Sequence, residues 1–119
     1  MITDYRFVEE FRCLLDDHIP DQLFYFQKAL AANKFNIHNH HAAVRQCQVW
    51  AVRITNLLAD ATKLAAFQAR YPGWSTVNLQ AIITSLNLVE AAAAAYVADP
   101  TPSNLAEIQT VLSQNLAQI

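Results

Sequence analysis

One glycine, Gly73, serves the whole 119-residue chain. Sandwiches and barrels turn tightly and often, and their turns lean on glycine for backbone angles that other residues avoid. One glycine and four prolines (Pro20, Pro72, Pro100 and Pro102) are too few for such a fold. Helices remain, with three natural interruptions: near Pro20, at Pro72-Gly73 and at Pro100 to Pro102. With 54% apolar residues, a chain of this length forms a single domain, residues 1–119, and buries a core without metal or disulfide staples.

The charges are unevenly placed. All eight basic residues lie at or before Arg70, and beyond it only Glu90, Asp99 and Glu107 are charged. A net charge of −2, with bases interspersed among acids, gives no footprint for nucleic acid. No apolar run approaches the ~20 residues of a membrane span, and Met1-Ile2-Thr3-Asp4 has no signal-peptide character. The expectation is a cytoplasmic protein, in a host cytosol if it is a secreted effector. Cys13 and Cys47 sit in helical apolar patterns and read as reduced, buried hydrophobes.

Helical periodicity runs through the chain. Thr3 or Asp4 can cap a first helix with Phe7, Val8, Phe11, Leu14 and Leu15 on its apolar side. Pro20 predicts a kink or short break, followed by a segment from Asp21 to about Asn33 carrying Leu23, Phe24, Phe26 and Leu30, the two pieces being either separate or one bent helix. The next turn falls at Lys34 to Asn39, with Asn36 or Asn39 as cap. A long third helix then carries Ile37, His40, Val44, Cys47, Ala51, Ile54, Leu58, Ala61 and Ala65 in alternating steps of three and four. Trp50, Leu57, Leu64 and Tyr71 add a flanking stripe, so this helix faces several neighbours, and Pro72-Gly73 ends it. Ser75 or Thr76 caps a fourth helix with Leu79, Ile82, Leu86, Val89, Ala93 and Tyr96 inward. Its Ala91 to Ala95 run allows a close helix crossing. Thr101 and Pro102 open a last helix lined by Leu105, Ile108, Leu112, Leu116 and Ile119. The fold class is all-α: an antiparallel bundle of four to five helices around a long central third helix.

Catalytic constellations are scarce. His38 and His41 have one of the spacings zinc uses, but no further ligand motif accompanies them, and His40 falls on the core stripe. No metal or cofactor is expected. A histidine phosphotransfer bundle is the alternative reading, with His41 as phosphate carrier and Arg45, one turn on, as its cation. Neither cysteine has a base placed to activate it: Cys47 is two turns from His40, and Arg12 beside Cys13 points elsewhere on the helix. Asp16, Asp17 and Asp21 crowd Pro20 as a solvated helix end or an acidic handle. Phe24, Tyr25 and Phe26 are consecutive and cannot all face one core. Tyr71 and Trp74 flank the Pro72-Gly73 turn, either as anchors for a partner or folded back over the bundle end.

Neutral Ser, Thr, Asn and Gln on the last two helices desolvate more cheaply than Lys and Glu, which points to association. The partner-binding candidates are Tyr71, Trp74, Glu90, Ala92, Ala94 and Tyr96, with self-association as a homodimer when the chain is alone. A purely structural homodimer subunit is a further alternative. In length, helical order and the Pro72-Gly73-Trp74-Ser75 turn, and above all from Asn36 to Trp74, the chain resembles small helical bacterial inhibitor proteins. Those are produced beside paired ubiquitin-directed deamidase/transglutaminase effectors of an intracellular pathogen. The resemblance implies a non-enzymatic protein that binds such an enzyme and blocks its action on ubiquitin or a ubiquitin-conjugating enzyme. It carries over no individual residue.

Overall fold

The computed structural model describes residues 2–32 and 37–116, and side chains within 6–32 and 38–115. Among the described residues every regular element is helical. They are α1 (Ile2–Cys13), a π-helical segment (Leu14–His18), α2 (Ile19–Ala31), α3 (Ile37–Ala59), α4 (Ala61–Arg70), α5 (Thr76–Ala98) and α6 (Pro102–Leu116). They form an all-α antiparallel bundle around the long central α3, 50 Å by 22 Å by 22 Å. Its most extensive contact joins α3 to α5; α6 covers α5 and α2, while α4 lies on α1 and α3. The expected caps at Thr3, Asp4 and Asn36 lie outside the described side chains.

Pro20 does not break the chain. His18 and Ile19 keep right-handed helical angles, and the Ile19 N–H bonds to the Leu14 carbonyl, five residues back. Proline has no N–H and its ring crowds the carbonyl one turn earlier, so the preceding turn widens to π geometry. Leu14, Leu15, Ile19 and Leu23 stay buried along one continuous rod. Asn39 lies within α3, not at its cap, because α3 is already helical at Ile37.

The third helix is shorter than its periodicity predicts. Asp60 adopts an extended backbone (φ −106°, ψ 96°) and its side chain accepts the Lys63 N–H, so it ends α3 and caps α4. The core stripe changes with it: Cys47, Ala51 and Ile54 are buried, whereas Ala61 and Ala65 are exposed and Phe67 becomes the buried anchor of α4. An aspartate that satisfies an orphan amide outweighs an apolar repeat made there only of alanines. Gly73, free as a glycine to adopt a left-handed backbone, does not use that freedom. A Cβ there would meet nothing within 4 Å. The turn is held by side chains: Asn78 donates to the Gly73 carbonyl and Gln68 to the Trp74 carbonyl.

Ser75 and Thr101 cap α5 and α6 as the sequence predicts, accepting from the N–H groups of Asn78 and Asn104. Leu79, Ile82, Leu86, Val89 and Ala93 form the buried side of α5. Phe26 is buried while Phe24 and Tyr25 are about half exposed, at 50% and 54%. The three consecutive rings thus divide between core and solvent, as their succession requires, and Lys28 lies over the Phe24 ring.

Two substitutions separate core from turn in urea denaturation. Leu86→Ala, at a fully buried site, should cost about 2–5 kcal/mol. Gly73→Ala should be neutral or stabilise by about 0.4–1 kcal/mol, since the native backbone there suits any residue.

Candidate functional site

The histidine cluster does not converge. His40 is fully buried and stacks on Tyr96, with ring centroids 4.1 Å apart, whereas His38 and His41 are exposed. Among the described residues no group of three His, Cys, Asp or Glu side chains is placed to hold a metal ion. Burial, with a smaller contribution from the neighbouring His41, lowers the His40 pKa from 6.5 to about 4. The phosphate-carrier candidate His41 and its cation Arg45 both reach solvent.

The two cysteines differ. Cys47 is buried, and burial together with the charge of Glu90 pushes its thiol up to about 12. Cys13 is exposed, contrary to the buried pair predicted. The Arg12 guanidinium folds back to donate to its sulfur at 3.1 Å, although adjacent residues leave a helix in different directions. Cys13 opens onto a shallow groove of about 610 Å³ bordered by Glu9, Glu10, His18 and Arg53.

The aromatic turn is folded back onto the bundle. The Tyr71 hydroxyl and the Arg70 Nε both donate to Glu9 Oε1, at 2.7 and 2.8 Å, and the Trp74 indole donates to Asp16 at 3.1 Å. Both rings are half-buried against the core. The bond from Tyr71, then that from Arg70, hold the Glu9 carboxyl below its ordinary range. Of the acids at the Pro20 bend, Asp16 is thus a turn anchor, and Asp17 lies 3.6 Å from Arg12.

The remaining candidates lie on α5. Glu90 accepts from Gln48 of α3 at 2.9 Å, Ala92 is buried, and Tyr96 is half-buried against His40. Ala94 is exposed. A feature the sequence reading missed lies beside it. Val77, Ala81, Thr84, Leu88, Ala91 and Ala95 are all exposed and alternate in steps of four and three. They form a second seam of heptad spacing on the solvent side of α5. Val77 and Leu88 are 74% and 50% exposed, large values for apolar side chains on a helix whose other side is core. The seam borders a groove of about 610 Å³ toward α6, where Ser85, Gln114 and Asn115 supply the polar rim. The period was legible in the sequence, but the inward stripe of larger residues masked it.

Although α5 has no long unbroken apolar run, it is long and apolar enough to cross a membrane by composition, with a mean hydropathy of 1.5 over its most apolar window.

No known family model, curated protein or solved structure matches the chain.

Thiol labelling checks the cysteine environments: the folded protein should react at Cys13 alone, with Cys47 becoming reactive only on unfolding. For His40 the direction follows from proton binding. The unfolded state takes up a proton below pH 6.5 and the folded state only near 4. Stability should therefore fall as pH is lowered across that window. Thermal melts of His40→Leu should show a shallower fall.

Proposed function

We propose that this chain is a non-enzymatic protein-interaction module that inhibits or regulates a partner enzyme, docking a helix of that partner along the exposed seam of α5. The seam itself carries the reading. A helix surface with an apolar heptad stripe and small residues between its larger ones admits another helix at close range. From Val77 to Ala95 the only charge is Glu90, which is already engaged by Gln48, so docking there desolvates no lysine or arginine. In the absence of the partner the same seam pairs with a second copy of the chain, shielding its apolar residues. The resemblance in the sequence names the partner class to try first, a ubiquitin-directed deamidase or transglutaminase.

Mixing the protein in stoichiometric excess with such an enzyme and ubiquitin should suppress deamidation; an undiminished rate would end the inhibitor reading. Leu88→Lys, at an exposed site that the fold tolerates, should weaken binding by about 30-fold if the seam is the interface, the effect of losing about 2 kcal/mol at an anchor residue. Ala91→Lys should shift the free protein toward monomer in sedimentation. Ala92→Lys is the wrong probe, because Ala92 is buried and the change would damage the fold.

A further inference from the structure

We propose that α4 and the aromatic turn behind it, residues 61–74, form a hinged strap latched onto α1 by Glu9, and that neutralising this one carboxylate releases the strap while the rest of the bundle stays folded. The strap has a hinge at each end of α4. Asp60 and Tyr71 both leave helical geometry (φ −106°, ψ 96° and φ −125°, ψ 74°), so α4 is continuous with neither α3 nor α5. Among the described elements it packs against α1 and α3 alone, and Phe67 is its one buried residue. With Leu64 and Ala66 only half-buried against the core beside it, that is modest apolar cover for ten residues of helix, the kind of segment that opens before the core does.

Polar groups at its far end hold it down. One oxygen of Glu9 accepts from both Arg70 and Tyr71, and the Trp74 indole donates to Asp16. The groups facing Glu9 can be named element by element. Arg70 and Tyr71 approach from the strap, Arg12 from its own helix at 3.6 Å, and Glu10, Cys13, His18 and Arg53 border the adjoining groove. The cations nearest Glu9 are thus arginines, which stay charged at every relevant pH, so the carboxylate is the switching partner. Asp16 is the weaker clasp, because its donor is a neutral indole. Release would lift the Phe67 ring from its edge contact with Phe11, 6.0 Å between centroids, and open out the pocket of about 520 Å³ that Arg70, Tyr71 and Trp74 form with Asp16, Ala81 and Ile82.

The pH direction follows from the held-down carboxyl. A group whose folded pKa lies below its free value of 4.5 stabilises the closed strap above that value. The stabilisation is lost as pH falls through the lower folded value.

Amide hydrogen exchange on the full chain, read peptide by peptide, tests the strap. In Glu9→Gln, amides of residues 61–70 should exchange roughly tenfold faster at neutral pH while those of residues 79–93 keep their protection. Glu10→Gln, which alters the neighbouring carboxylate, should change neither. Arg70→Gln removes the same ion pair from the strap side and should reproduce the Glu9→Gln pattern, a check that stands even if one variant folds poorly. Acidifying the wild type below pH 4.5 should speed exchange in residues 61–70 beyond the general loss of stability that His40 brings, and in Glu9→Gln only that general loss should remain. Unchanged protection of α4 in both latch variants, or loss of protection in residues 79–93 in step with α4, would overturn the proposal.

Discussion

The face between α3 and α5 is the contact on which the other packing relations are built. The two helices run antiparallel, tied near one end by the His40–Tyr96 stack and further along by the Gln48–Glu90 bond. Between them lie Cys47, Ile54, Ile82, Leu86, Val89 and Ala93, all at or below 4% exposure. Ala92 and Ala93 add little bulk, so the backbones can approach closely where the alanine run crosses. With that pair fixed, α6 has a groove to fill, and the rod of α1 and α2 covers the remaining sides through Leu15, Ile19, Leu23 and Phe26.

Polar detail, more than apolar periodicity, decides where these helices end and how they join. A repeat that runs without fault from Ile37 to Ala65 is cut at Asp60, because a carboxylate that satisfies an exposed amide competes well against two alanines with little area to bury. Pro20 sits in a rod too well anchored by buried leucines to break, so the strain is absorbed in one π turn. At the Pro72-Gly73 turn, Asn78, Gln68 and Asp16 do the work that glycine's left-handed freedom would otherwise do.

The same distinction sets how much could be read in advance. The all-α bundle, the central third helix, the caps at Ser75 and Thr101 and the inward stripe of α5 are consequences of period and local hydrogen bonding, and the sequence carries both. The α4 break is local as well, but its cap at Asp60 competes with an apolar repeat equally plain in the sequence; the exposure of Cys13 and the Glu9 contacts are set by packing between residues far apart in the chain, Glu9 and Arg70 being 61 positions apart. Most candidates for partner binding proved to be engaged internally: Tyr71 and Trp74 by carboxylates, Glu90 by Gln48, Tyr96 by His40. Ala94 remains open to solvent, beside a seam whose spacing was visible but whose exposure was not.

The absence of lysine and arginine beyond Arg70 takes on physical meaning once the two sides of α5 are compared. A surface helix ordinarily sets a charged face against an apolar one, and a helix apolar all round is ordinarily enclosed. In α5 the inner side is enclosed by α3 and α6, while the outer side carries Val77, Leu88 and alanines where a solvated helix would carry charges. The neutral Thr84 hydroxyl on that side bonds back to the Gln80 carbonyl, so its polarity is satisfied within the helix. Little on this face demands water. Covering it therefore costs little in desolvation and gains the burial of Val77 and Leu88, an asymmetry that favours a bound helix over open solvent.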